Sequence, residues 1–402
     1  MGGLIMASTI NADTTNGVVV TSDTSGEIEL QSAGVTKAKV TANGLQDANG
    51  NSLRGGMYRN LIINGDMQIA QRGTSVSGVT STGYHTVDRI LHSIANIGTW
   101  TISQDTDVPT GQGFANSLKM DCTTANGSLL VSSVGILIYR LEGQMLQHLK
   151  KGTSNAESVT LSFWVKSNKT GTYVCELGDS DNTRHIAQTY TIDSADTWEK
   201  KTLTFAGDTT GAFANDNGTS LQLNLWIAAG TNFSSGTTPT SWASTVNANR
   251  AAGLTVNLAD STSNYINITG VQLEVGEGAS DFEFLPYDVQ LQRCQRYFLR
   301  WTANANVVIC NMAAYSTTGI YGVFVYPTTM RATPSWSVSS ASHLTLYMGG
   351  TTQAPSAFSA STITENSARL NVTASSARTQ GDAGWLRVNT GGGKYIQADA
   401  EL

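Results

Sequence analysis

Trp164 and Trp226 are the side chains whose placement points most directly to chemistry. In residues 159–166, Val159, Leu161, Phe163 and Val165 alternate with Thr160, Ser162, Trp164 and Lys166. In residues 221–228, Leu221, Leu223, Leu225 and Ile227 alternate with Gln222, Asn224, Trp226 and Ala228. Strict period two marks a strand with one buried face, so each indole falls on the polar face. Sugar rings present C–H faces that stack on flat aromatics. A binding site also needs a few placed hydrogen-bonding groups, and Gln222, Asn224 and Lys166 are available for that. These five residues form the expected glycan-binding set. The competing expectation packs both indoles on a loop, a short helix or a neighbouring subunit, which is the commoner fate of Trp.

Acidic turns raise a second chemistry. Asp179, Asp181 and Thr183 alternate in Asp179-Ser-Asp-Asn-Thr183, and oxygen ligands at that spacing suit calcium. Arg184 stands where an EF-hand loop needs Gly, so the full pattern fails. Asp208, Asp216 and Asn217 make a looser second cluster. The opposing reading is ordinary turn chemistry by Asp and Asn. A structural calcium at Asp179 and Asp181 is thus the one metal to expect, and no other cofactor is indicated.

Catalysis lacks a signature. None of the five histidines, His85, His92, His148, His185 and His343, lies in a Gly-x-Ser-x-Gly or His-Glu-x-x-His context. Asp281 and Glu283 alternate as a glycosidase pair would, but an exposed strand edge explains that spacing as well. The four cysteines, Cys122, Cys175, Cys294 and Cys310, are far apart and form no C-x-x-C pair, which predicts reduced thiols. No enzyme is expected.

The elements that position these residues read as strands. Charged residues are 13% of the chain, about half the usual share, while Gly is abundant at 40 and Pro scarce at 6. The net charge of −6 comes without a Lys/Arg run, which argues against nucleic acid. No apolar stretch approaches the ~20 residues of a membrane span, and no secretory signal is apparent. Strands are predicted at 61–64, 67–71, 88–93, 99–104, 117–121, 129–134, 171–177, 185–192, 199–205 and 265–275, besides the two described above. The phase change at Gly270 predicts a β-bulge. A short helix is expected over 142–149.

Three regions follow. Residues 1–58 offer strands at 18–22, 27–32 and 35–41, each with only two or three apolar side chains. Such a segment must borrow a core, as copies wound round a three-fold axis would supply; a disordered tail is the alternative. Residues 59–285 predict a jelly-roll β-sandwich. Residues 286–402 predict a helix over 287–296 and then a smaller β-sandwich, with strands at 297–302, 307–313, 320–326, 335–338, 343–348, 363–372, 385–388 and 395–400. The expected fold is therefore all-β: a short N-terminal β shaft, a central jelly roll and a smaller C-terminal sandwich.

Several stretches, taken in order, resemble a family of bacteriophage tail-fibre and receptor-binding proteins. They are Asn60-Leu-Ile-Ile-Asn-Gly-Asp-Met-Gln-Ile-Ala-Gln-Arg-Gly73, Leu161-Ser-Phe-Trp-Val-Lys-Ser167, Ile268-Thr-Gly-Val-Gln-Leu-Glu-Val-Gly276 and Cys294-Gln-Arg-Tyr-Phe298. Val325-Tyr-Pro-Thr-Thr-Met-Arg-Ala-Thr-Pro334 and Ala398-Asp-Ala-Glu-Leu402 are similar to that family's C-terminal part. The resemblance implies a homotrimer assembled in the host cytoplasm into the virion. It implies an N-terminus docked on a tail or other virion protein, and a carbohydrate-binding-like middle domain that attaches the particle to a host surface glycan. Membrane insertion is not expected. A purely structural head-fibre, collar or baseplate role is the alternative, and a polysaccharide depolymerase is a third.

Overall fold

The computed structural model describes residues 27–32, 34–41, 44–47, 58–302 and 307–402. The strand expected at 18–22 lies outside them. The chain divides into two compact units, Met1–Met57 with Gly278–Asp281, and Tyr58–Glu277 with Phe282–Leu402.

In the first unit, strands Ile28–Ser32, Val35–Thr41 and Gly44–Asp47 form an antiparallel meander. The third strand was not expected. Ile28 pairs with Val40, Leu30 with Ala38, and Val40 with Leu45, so these five apolar side chains share one face. Leu30, Val40 and Leu45 are nonetheless exposed, at 51%, 40% and 45%. Glu29 pairs with Lys39 on the other face, and their charged groups lie 3.1 Å apart. The meander is thus amphipathic, with its apolar side open.

The second unit begins with a jelly roll of two antiparallel sheets. One has six strands and includes Val159–Ser167, Glu199–Phe205 and Tyr265–Val275. The other has seven and includes Gly171–Asp179, Arg184–Ile192, Thr219–Ala229 and Val134–Glu142. Phe163, Tyr173, Leu225 and Ile227 meet between the sheets in one apolar core. The bulge falls where expected. Ser162 pairs with Gln272 and Trp164 with Thr269, so Gly270 and Val271 together oppose Phe163. Gly270 has φ +63, and a Cβ there would lie 2.6 Å from Phe114 Cζ, so only Gly fits.

Three expectations need correction. Residues 61–71 form a buried loop with no strand. Asn64 Oδ1 accepts from the Ile69 amide at 2.9 Å, and its Nδ2 donates to the Ile69 and Asp88 carbonyls, so a side chain replaces a strand ladder. Residues 129–133 hold no strand, with a turn at 131–132, and the strand is Val134–Glu142. The expected helix over 142–149 is two 3-10 turns, Gly143–Met145 and Gln147–Leu149. The Gly143 and Gln144 amides bond outward to the Gly218 and Asp216 carbonyls, and Lys150 ends the segment in a left-handed conformation.

Helix Tyr287–Gln295 leads into the smaller sandwich. Its sheets have three and seven strands around a core of Ile320, Leu344, Leu370, Leu386 and Ile396. Strands Thr351–Gln353 and Ala357–Ser361 were not anticipated, and residues 363–366 are not strand. The last residues return to the jelly roll: Tyr84 Oη donates to the Leu402 carbonyl at 3.1 Å, and Arg72 Nη2 lies 3.3 Å from Glu401 Oε1. No helix among the described residues is long and apolar enough to cross a membrane.

Candidate functional site

The two tryptophans lie on different sheets and face opposite ways. Trp164 and Lys166 sit on the outer side of the six-stranded sheet, half-buried. Lys166 Nζ bonds Asp107 at 2.7 Å, and the same carboxylate takes the Trp198 indole N–H at 3.0 Å. Gln222, Asn224 and Trp226 sit on the outer side of the seven-stranded sheet. The five expected residues therefore do not form one platform.

Trp226 offers no stacking surface at all, because it is fully buried. Phe233 packs on it with ring centroids 5.6 Å apart, and Arg250 Cζ lies 5.3 Å from the ring. A covering segment with one helical turn, Thr231–Ser234, closes this part of the polar face. Asn224 is buried too, and only Gln222 of the three remains half-exposed.

These residues instead surround a carboxylate that the sequence reading missed. Alternation along Gly171–Asp179 sends Tyr173, Cys175 and Leu177 into the main core, leaving Glu176 and Gly178 on the outer side. Glu176 stands opposite Asn224 on one neighbour and Ala187 on the other, while Gly178 stands opposite Gln222 and His185. Buried Glu176 accepts from Arg250 Nε at 3.0 Å and Nη2 at 3.1 Å, from Asn224 Nδ2 at 3.0 Å and from Trp226 Nε1 at 3.2 Å. His185 Nδ1 lies 2.9 Å from its other oxygen. Burial alone would raise the Glu176 carboxyl. The His185 hydrogen bond and the Arg250 charge outweigh it and hold the group below its ordinary value. The missing side chain at Gly178 leaves an open cleft of about 150 Å³ above this network, lined also by Gln222, Arg184 and Thr245. Asn224 Oδ1 and His185 Nε2 are buried without a hydrogen-bond partner. The one sequence cue was a carboxylate in the middle of an otherwise apolar strand; Arg250 carried none.

At Asp179 and Asp181, where a calcium is expected, the structure places a side-chain cation. The Lys151 ammonium fills the position, 2.6 Å from Asp179 Oδ2 and 3.1 Å from Asp208 Oδ2, and it donates to the Thr210 and Gly211 carbonyls. Asp179 Oδ1 accepts the Asp181 and Asn182 amides, and Asp181 turns away to the Ala214 amide. Asp216 caps Gly218, and Asn217 donates to the Arg331 carbonyl, so the looser cluster disperses as well. Among the described residues no group of three or more His, Cys, Asp or Glu side chains is placed to hold a metal. Lys151→Ala would leave buried Asp179 without a cation, while Asp208 keeps Arg184 at 2.7 Å, and is expected to cost about 3 kcal/mol. A chelator should leave the wild-type melting temperature unchanged; a chelator-induced drop would show that a metal contributes after all.

Glu283, half of the glycosidase pair weighed above, takes the Tyr58 and Asn60 amides at 2.6 and 2.9 Å and so fastens backbone.

No family model and no curated protein matches this sequence. Among solved structures, the chain is similar to the enzymatically active domain of bacteriophage CBA120 tailspike protein 4. The identity is 13% over 54% of this chain, with a TM-score of 0.29. The chain spans 22% of that tailspike's length. It is also similar to a CBM4 structure, at 12% identity over 53% of this chain and 97% of that one, with a TM-score of 0.25. The family 11 carbohydrate-binding module of a Clostridium thermocellum cellulase matches at 11% identity over 54% of this chain and 94% of that one, with a TM-score of 0.24. Scores this low carry no argument, and the reading of the cleft rests on its own residues.

Proposed function

We propose that this chain is a bacteriophage tail-fibre protein that attaches the virion to a glycan on the host surface through the cleft above Glu176. The hydrogen-bonding floor of that cleft carries the reading. A buried ion pair is weak support for stability, since apolar residues of like volume commonly serve a fold as well. This one holds Asn224 and Arg250 in fixed orientations under an open cleft. Fixed donors and acceptors suit the hydroxyls of a saccharide.

Binding without catalysis fits the carboxylates, because Glu176 is committed to Arg250 and His185, and Asp179 to Lys151. The open apolar face of the N-terminal meander supports assembly into a homotrimer, where copies would cover Leu30, Val40 and Leu45. Docking of that region on a tail or other virion protein rests on the sequence resemblance alone. Weak contacts in three copies would add by effective concentration.

The test is retention of the purified chain on an array of bacterial surface polysaccharides, with light scattering on the same sample. Gln222→Ala removes a rim side chain whose one hydrogen bond among the described residues is to Ser180 Oγ. It should weaken retention about tenfold with mass and melting temperature unchanged. Undiminished retention would remove the cleft from the reading. Loss of trimer mass would favour a purely structural virion role.

A further inference from the structure

The C-terminal sandwich carries a groove of its own. Strands Gly319–Val325, Ser367–Thr373 and Ala357–Ser361 lie side by side, the last at the sheet edge. Ile320, Ala368, Leu370 and Val372 point into the core. The alternate residues therefore face outward. Register sets Gly319 and Ala357 opposite Thr373, Tyr321 and Ser359 opposite Asn371, and Ser361 opposite Arg369. Small residues at 319, 357, 359 and 361 beside Tyr321 and Arg369 leave a trough of about 360 Å³.

Arg369 is held as an anion receiver is held. Its Nε donates to Ser361 Oγ and Asn371 Oδ1, both at 3.0 Å, and its Cζ lies 4.7 Å from the Tyr321 ring centroid. The two terminal nitrogens have no hydrogen-bond or ion-pair partner among the described residues, and no Asp or Glu lines the groove. A guanidinium fixed through Nε leaves a planar fork for a carboxylate or sulfate. Asn371 and the serines add hydrogen-bonding groups. Tyr315, 68% exposed, stacks on Tyr321 at 5.2 Å and extends a flat aromatic surface past the rim.

We propose that this groove binds an acidic saccharide, its anionic group on the Arg369 fork and its ring against the tyrosines. The site is independent of the cleft above Glu176, so either can fail alone.

Titration calorimetry of the full chain with a trigalacturonate, against neutral maltotriose, tests it. The acidic sugar should bind and the neutral one should not. Arg369→Gln should weaken binding by at least about tenfold, and Arg369→Lys should restore only part. Equal binding by Arg369→Gln and the wild type would overturn the proposal. So would inorganic sulfate competing as well as the sugar, which would make this a bare anion site. A lower solution mass for Arg369→Gln would assign the groove to a subunit contact and overturn it too.

Discussion

Glu401→Ala is expected to cost about 3–5 kcal/mol of unfolding free energy, read by thermal or denaturant melting. The Glu401 carboxylate is almost fully buried between two arginines of the jelly roll. Arg89 Nη1 bonds it directly, and Arg72 Nη2 lies 3.3 Å away. Both arginines are themselves buried, and each is stacked on an aromatic ring where the smaller sandwich begins. Arg89 Cζ lies 3.5 Å from the Tyr297 centroid, and Arg72 Cζ 3.4 Å from that of Phe298. Arg72 would keep Asp88 and Asp399, each at 3.6 Å. Among the described residues Arg89 would keep only the Arg140 carbonyl as a hydrogen-bond acceptor and would become a buried cation without a counter-ion. That asymmetry puts most of the loss on Arg89. Arg89→Met should therefore be milder than Glu401→Ala, since it removes the buried charge itself. A loss below about 1 kcal/mol for Glu401→Ala would mean that water reaches Arg89 readily. The same contact joins the two sandwiches, so calorimetry of the variant should show the single transition broadening or splitting.

The parts of this fold that were legible are those where alternation decides. Phe163 and Val165, or Leu223 and Leu225, can satisfy their apolar demand only between sheets, and they lie there. The phase slip at Gly270 marked the bulge for the same reason. Period two cannot say what lies over the outer face. Trp164 and Trp226 have the same local pattern, yet one is half-exposed and the other is roofed by Phe233, from the one-turn helix Thr231–Ser234, and by Ala251. Residues 61–71 were misread because apolar Leu61, Ile63 and Ile69 are also what a buried loop needs. Their backbone is satisfied by Asn60 and Asn64 side chains, which resemble turn formers in sequence. The candidate site was half legible. Gln222 and Asn224 follow from the strand, but Arg250 reaches Glu176 across 74 residues and Lys151 comes to Asp179 from outside its loop. Charge pairing over such separations leaves no periodic trace.

Glu176→Ala should cost about 3 kcal/mol and also abolish retention at the cleft. The loss has identifiable parts. The Trp226 N–H and one Asn224 N–H would be buried without acceptors, and the His185 ring would lose its partner. Arg250 is about a quarter exposed and can turn to water, which keeps the cost below that of a sealed pair. Glu176→Gln keeps the shape and gives a sign test by pH. The folded carboxyl lies below its ordinary 4.5, so its contribution is fully present above that value. It is lost as pH falls through the folded value. Other depressed carboxyls, such as Glu142 and Asp208, are common to both proteins and cancel in the difference. The stability gap between wild type and Glu176→Gln should thus be level above pH 4.5 and close below it. A gap that widens on acidification would mean the carboxyl is held protonated, and the Arg250 contact would then be a hydrogen bond without an ion pair. Retention separates the two roles of this residue. Gln222→Ala should lose binding at full stability, whereas Glu176→Ala should lose both, because the network that fixes the cleft floor also closes the outer face of the sheet.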